Sequence, residues 1–492
     1  MLTIEEIKRF IDDDRASPKK HQAMVGLRYY EGEHDIRYYR IFYVDAEGQI
    51  QEDKHRSNIK ISHPFFPEQV DQAVQYILSG KDGFIFSDDP ELQKELNAYF
   101  NENEDFLAEL YEVLTGAIVK GFENMYAYKK EDGRTAFQCA DSLGVVEVKA
   151  KDTDDGCEYV IYWYVDSIAK DGKKIIRIEV WDKEQTWFYV QDGENGKILP
   201  DDSKKLNPRP HLLYTKDKSG QTYYDGFGFI PFFRLDNCRK QLSSLKAIKD
   251  LIDDYDLMAC GLSNNIQDTS EALYVVAGFE GDNLDELITN IKAKKHIGVS
   301  EGGSVEIKTI DIPYEARQAK MELDERNIYR FGQALNTSGL KDTTATTNLA
   351  IKAAYSLLDL KANKMEIRLK QFMRKLLAVV LKEINEREDT DYRQENVYFR
   401  FEREVPTNAQ ENAQVELLEA QRRQAEVNTL LNLSTHLDNE TMMELICEQL
   451  DVDYEDVKDK LPDPMTADPY STDAALGVVQ AVEPDHEGGG AV

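Results

Sequence analysis

The sequence predicts an α+β fold on three observations. From Asn124 to Phe233 hydrophobicity alternates with a period of two in segments rich in Val, Ile, Tyr and Trp. After Pro231 apolar residues recur at three- and four-residue spacing instead. The 492 residues are 41% hydrophobic and 31% charged, a folded composition and not that of a disordered chain. At about 150 residues per domain this length corresponds to roughly three structural units.

The first element is a short helix, because Thr3 and Glu6 stand at capping-box spacing before Ile7 and Phe10. A Tyr-rich stretch over 27–44 follows, and 63–114 alternates helical patterns with polar breaks. EYVIYWYV (158–165), KIIRIEVW (174–181) and TWFYVQ (186–191) are separated by turn pairs such as Asp171-Gly172 and Asp192-Gly193, which predicts an antiparallel sheet. Leu242, Leu245, Ile248, Leu251, Ile252, Tyr255, Met258, Leu262 and Ile266 then mark one face of a helix of roughly 30 residues. Lys246, Asp250, Asp253 and Asp254 fall on its opposite side.

A small α/β insert is predicted over 271–312, with strands at 272–279, 296–300 and 304–310 and a helix at 283–293. A mostly polar helix covers about 314–336. TSGLKDTTATTN (337–348) is a loop, since Thr and Asn favour caps and turns and Gly339 breaks the pattern. From 349 to about 386 the chain is helical, with Thr347 or Asn348 as N-cap. NVYFRFER (396–403) is a short strand, 409–460 are acidic helices broken near His436 to Asn439, and 463–492 read as a disordered tail.

Charge and chemistry narrow the function. Lys and Arg number 60 against 92 Asp and Glu, a net charge of −32, which argues against a protein that coats nucleic acid but not against one that DNA passes without sticking. The longest apolar run, LLAVVL (376–381), is far shorter than a membrane helix, so no membrane partner is expected. The acidic start MLTIEEIKRFIDDD has no signal-peptide character, so the chain is expected to be cytoplasmic where made. Five cysteines without a C-x-x-C pair signal neither a disulfide framework nor zinc.

Phosphate-loop, H-E-x-x-H and G-x-S-x-G motifs are missing. Gly226 and Gly228 lack the third glycine and helix start of a dinucleotide site. Asp152, Asp154, Asp155 and Gly156 are out of register for a calcium loop and read as a hairpin turn. His21, His34, His55 and His63 lack metal-ligand spacing and read as surface or packing residues. The sequons at Asn336 and Asn432 are read as accidental. No catalytic residue, metal or cofactor is expected, and the chain is not expected to be an enzyme.

Four stretches carry a family likeness: YYEGEHDI (29–36) with NIKI (58–61), VDQAVQYILSGK (70–81), GFGFIPFFRLDN through LKAIKDLIDDYDLMACGLSNNI (226–266), and TTNLAIKAAYSLLDLKANKMEIRLKQFMRKLL (346–377). With the order of the elements, they resemble the portal proteins of tailed bacteriophages, specifically the family typical of siphophages of Gram-positive hosts. Asp82 departs from the proline expected after Gly80-Lys81.

This resemblance implies a portal fold: a mixed wing (1–235), two stem helices (236–270 and 314–337), a small α/β clip (271–313), a tunnel loop (338–348), a long kinked helix with a wing strand (349–406), an α-helical crown (407–462) and the tail (463–492). It implies a ring, usually of twelve subunits, at one capsid vertex, through which double-stranded DNA is packaged and later ejected. The implied partners are the large terminase subunit, scaffolding and major capsid proteins, and the head-tail adaptor; the implied setting is the virion, with the host cytoplasm during assembly. The DNA-proximal loop residues are then Lys341, its only basic residue, with Thr343, Thr344, Thr346, Thr347 and Asn348. The stem candidates for the channel wall are Lys246, Asp250, Asp253 and Asp254. Lys341 as a solvated loop residue, and the stem charges as a solvated face or as salt bridges with Lys246 and Lys249, are the plainer readings. A non-channel scaffolding or adaptor protein is the competing function; a continuous heptad would mark it, and the strand-rich middle speaks against it.

Overall fold

The computed structural model describes residues 1–449 apart from 46, 55, 131–132, 150–155, 171, 195, 217–220, 270–272, 280–298, 309–313, 337–347, 405–408 and 433–438. The chain divides into two units, Met1–Pro406 and Thr407–Val492.

The first unit opens with helix α1 (Ile4–Arg15), started by the predicted capping box: Glu6 N donates to Thr3 Oγ1 at 3.3 Å and Thr3 N to the Glu6 carboxylate at 2.9 Å. Helix α2 (Pro18–Tyr30) follows with Ser17 as N-cap and Pro18 in its first turn, where a missing N–H costs nothing. Strands β1 (Phe42–Val44) and β2 (Ile50–Glu52) form a hairpin whose Phe42, Val44 and Ile50 are each more than half exposed. Next come α3 (Phe65–Ile77), β3 (Ile85–Ser87), α4 (Pro90–Leu96) and α5 (Glu104–Lys120). Gly121 ends α5 in the left-handed conformation at φ 95°, the usual C-terminal role of glycine.

The period-two region forms several sheets and not one. Strands β4 (Phe122–Lys129) and β5 (Thr135–Ala140) pair with each other; β6 (Val145–Lys149), β7 (Cys157–Ile168), β8 (Lys174–Trp181), β9 (Gln185–Asp192) and β10 (Ile198–Pro200) form an antiparallel meander in which β11 (Arg209–Pro210) also pairs with β9. Strands β12 (Leu212–Lys216) and β13 (Gln221–Asp225) make a separate pair, and β14 (Phe232–Asp236) returns to the far side of β4. The long return to β14 passes through Gly226 and Gly228. A Cβ at Gly226 would stand 2.5 Å from Glu184 Cα, and Gly228 has φ 79°, so both positions serve the tight crossing of the 182–185 turn.

After β14 the chain forms a 3-10 turn (Ser244–Ala247), α6 (Lys249–Thr269), β15 (Leu273–Phe279), β16 (Val299–Lys308), α7 (Tyr314–Gly332), α8 (Asn348–Glu388) and β17 (Val397–Phe399). The two strands expected at 296–300 and 304–310 are one ten-residue strand, paired antiparallel with β15 across a bulge at Ala277/Phe279. The helix expected at 283–293 lies outside the described residues. Strand β17 is three residues long and pairs with β3, not with the large meander.

One core joins α3, α5 and α8 through residues such as Phe66, Leu114, Leu369 and Phe372, all nearly or fully buried. A second core sets Ile7 and Ile11 of α1 against Ile161, Ile176, Ile178 and Trp187 of the meander. Glu383 of α8 ties the helical core to the β4–β5 hairpin: it accepts from Lys129 Nζ at 2.8 Å, Thr135 N at 3.0 Å and Tyr99 Oη at 2.6 Å. Burial pushes this carboxyl up, but those hydrogen bonds outweigh it and hold Glu383 below its ordinary range.

The second unit contains α9 (Ala409–Asn432) and α10 (Asn439–Gln449), which pack together with Ile446 and Cys447 buried. The break expected near 436–439 and the tail expected over 463–492 fall mainly outside the described residues.

Candidate functional site

The predicted stem charges sit around α6, which is shorter than its apolar period suggests. The 237–269 segment begins as a polar turn: Asn237 Nδ2 donates to Leu242 O at 2.9 Å and Ser244 Oγ at 3.1 Å, Gln241 adopts φ 55°, and Ser243 Oγ accepts from Leu245 N at 3.1 Å. Side chains that bond the local backbone outcompete the helix here, so the expected helix of roughly 30 residues is a 21-residue one preceded by a 3-10 turn. Lys246 therefore stands on the turn and not on α6.

Helices α6 and α7 pack side by side. Arg317 of α7 reaches Met258 O at 3.4 Å, and Lys320 bonds both Asp254 and Asp324. Pairing 258 with 317 and 254 with 320 makes the two helices antiparallel. The Arg317 guanidinium lies against Gly261, where an ideal Cβ would stand 2.4 Å from it. Asp324 is almost fully buried, and the hydrogen bonds that Lys320 donates to Asp254 and Asp324 raise its ammonium above the ordinary value.

Of the predicted channel-wall residues, Asp254 is thus paired to α7. Asp253 accepts from Lys249 Nζ at 2.6 Å and from the Tyr29 hydroxyl, and Lys249 also bridges to Asp35 at 2.6 Å. Asp250 and Lys246 are exposed and carry no ion pair among the described residues. Lys341, Thr343, Thr344, Thr346 and Thr347 lie outside the described residues, and Asn348 is the first residue of α8. Helix α8 is assigned as one uninterrupted 41-residue helix.

A regular polar feature of this region has no signal in the sequence. Segment 57–63 lies extended along α6 and hands it every second amide: Ser57 N donates to Asp268 Oδ1 at 3.0 Å, Ile59 N to Asn264 Oδ1 at 2.6 Å, Ile61 N to Cys260 Sγ at 3.2 Å and His63 N to Asp256 Oδ1 at 3.0 Å. Two extended residues advance about 6.6 Å and four helical residues about 6.0 Å, so the two periods stay in step over this length. At the end of the strap Asp256, fully buried, also accepts from His63 Nδ1 at 2.7 Å and His34 Nδ1 at 2.6 Å, while Tyr29 stacks on the His34 ring with centroids 4.5 Å apart. Among the described residues no group of His, Cys, Asp and Glu is arranged to hold a metal ion. The two imidazoles instead serve Asp256 as hydrogen-bond partners, and His55 lies outside the described residues.

A cavity of about 380 Å³ lies beside the start of this helix pair. It is lined by the 237–247 turn, the end of α7 at Phe331–Gln333, and Lys361, Lys364 and Met365 of α8. Lys361 Nζ donates to Gly332 O at 3.2 Å, and burial lowers its ammonium to about 8.

A family model described as phage portal protein, SPP1 Gp6-like, matches residues 11–454. A portal protein of Bacillus phage SPP1 is 28% identical over 371 residues, covering 75% of this chain and 70% of that protein. A portal protein of Clostridium phage phiCD119 is 23% identical over 399 residues, covering 77% and 82%. A solved structure described as the neck of a native GTA particle computed with C12 symmetry aligns over 78% of this chain and 90% of that one, at 12% identity and a TM-score of 0.34. With the family model spanning nearly the whole chain on an α+β architecture, this protein belongs to the SPP1 Gp6-like family of phage portal proteins.

Proposed function

We propose that the chain assembles into a ring, of twelve copies as in the portal family at large, and that double-stranded DNA enters and leaves the capsid through its centre. The family match over 11–454 carries this reading. The antiparallel pair α6/α7, with the paired strands β15 and β16 between them in the chain and followed by 333–347 and the long α8, supports assigning the helix pair to the stem, the strand pair to the clip and 338–348 to the tunnel loop. In this arrangement the clip docks the large terminase subunit and later the head-tail adaptor, the crown (407–462) faces the capsid interior, and scaffolding and major capsid proteins meet the outer wing. The protein acts as a conduit and docking platform in the virion, without chemistry of its own.

The charge supports a wall that does not hold DNA. At −32 per copy, unpaired carboxylates repel phosphates, and Asp250 is an exposed one on α6. Lys341, with its Thr neighbours and Asn348, is the proposed point of transient phosphate contact in the tunnel loop. Native mass measurement with averaged electron-microscope images tests the reading. A turbine-shaped ring near twelve copies with an axial hole is expected; single chains or dimers at every protein and salt concentration would overturn it in favour of a non-channel adaptor.

A further inference from the structure

Buried cations elsewhere in this chain have carboxylate partners. Lys20 bridges to Asp14 at 2.9 Å, and Lys120 lies between Glu123 and Asp141, 2.7 Å from the latter. Removing an ammonium from water is costly, and a nearby carboxylate offsets it. The cavity beside the start of the α6/α7 pair differs: Lys361 is partly buried in it, and Lys246 and Lys364 are exposed residues of its lining. Among the described residues Lys246, Lys361 and Lys364 line it, no Asp or Glu does, and none of the three has an ion pair. Among the described residues Lys361 has only the Gly332 carbonyl as a partner. In a chain with 92 acidic and 60 basic side chains, three unpaired lysines around one recess are a marked concentration of positive charge.

We infer that this cavity is a socket for a carboxylate-bearing side chain of a second copy of this chain, so that Lys246, Lys361 and Lys364 lock one subunit to the next. The inference rests on the ring reading above. Charge complementarity favours this occupant: copies as acidic as these repel each other unless each junction supplies a basic counterpart. The socket's shape favours it too. A recess of about 380 Å³ has room for one or two side chains. Its Ile77, Ile118 and Met365 walls fit the methylenes of a Glu or an adjoining apolar side chain, as in the dry centre of an interface with charges at its edge.

The test uses the full-length protein. Lys361→Met keeps the length and apolar stem of the side chain, and the double variant Lys246→Gln/Lys364→Gln changes only exposed positions, so both are expected to fold, the double variant melting close to the parent and Lys361→Met no lower than it. Sedimentation should show the concentration needed for assembly rising by about tenfold or more in each variant. Zero-length carbodiimide cross-linking of rings mixed from isotope-labelled and unlabelled chains should join Lys361 or Lys364 to an acidic residue of a differently labelled copy. Variants that assemble like the parent, or cross-links confined to a single chain, overturn the socket while leaving the ring intact. Rings that form normally but lose DNA retention overturn it in favour of a phosphate ligand. A parent chain that never assembles removes the ring reading and the socket together.

Discussion

His34 Nδ1 lies 2.6 Å from Asp256 Oδ2 with both side chains completely buried, although 222 residues separate them in the chain. His63 occupies the other carboxylate oxygen, so one aspartate fixes the segments before and after the exposed β1–β2 hairpin against α6. Asp256→Asn replaces an acceptor of three hydrogen bonds by a group that must itself donate. It is expected to cost about 2–4 kcal/mol in urea unfolding, and hydrogen exchange at Ile59, Ile61 and His63 should accelerate first.

The same carboxylate sets an acid limb of stability. Burial alone pushes Asp256 up, but hydrogen bonds from His34 and His63 outweigh it and hold it below the ordinary value. A lowered carboxyl stabilises the fold fully above its unfolded value of about 3.9, and that contribution is lost as pH falls through the folded value. Thermal melts between pH 3 and pH 7, ordinary buffer conditions for this purpose, should therefore decline less steeply on the acid side in Asp256→Asn than in the parent.

Lys320 links two carboxylates of unequal burial. Lys320→Met strands Asp324, which is almost fully buried, and is expected to cost about 2–3 kcal/mol. Asp254→Asn removes a partly exposed partner and should cost below about 1 kcal/mol. Denaturant titration of both variants decides the order; equal costs would contradict the burial argument.

Gly26 packs α2 against α5 so closely that a Cβ would stand 2.1 Å from the Val119 carbonyl oxygen. Because the obstacle is backbone, it cannot rotate away. Gly26→Ala should lose roughly 2–4 kcal/mol, despite the better helix propensity of alanine, and a melting temperature equal to the parent's would refute this packing.

Lys361 gives the opposite pH sign. Its lowered value of about 8 means that the folded single chain pays for a desolvated charge in full below that pH, and the cost fades as pH rises towards the ordinary 10.5. Lys361→Met should stabilise the unassembled chain at neutral pH by about 1–2 kcal/mol, with the difference vanishing in melts near pH 10.5.

Local patterns were legible where a single element carries its own signal. The Thr3–Glu6 capping box, the KIIRIEVW strand and the long helix after Asn348 all appear where residue type and period place them. The apolar period misled at 237–248, because Asn237 and Ser243 bond the nearby backbone and turn the chain before the helix starts. Where two strands were expected at 296–300 and 304–310, one strand, Val299–Lys308, runs through Gly302 and Gly303, with its irregularity taken up as a bulge at Ala277 and Phe279.

What the sequence by itself determined is the local elements that carry their own cap or period, the acidic balance and the family likeness, since these depend on residue type and spacing within one stretch of chain. Only the tertiary structure decided which charges are free. Asp253, Asp254 and Asp256 look alike as acidic positions of one helix, yet Tyr29, Lys320 and the two histidines approach them from elements tens to hundreds of residues away. The partner of a charge, and the burial that makes the partner matter, are properties of distance in space; a linear pattern carries neither.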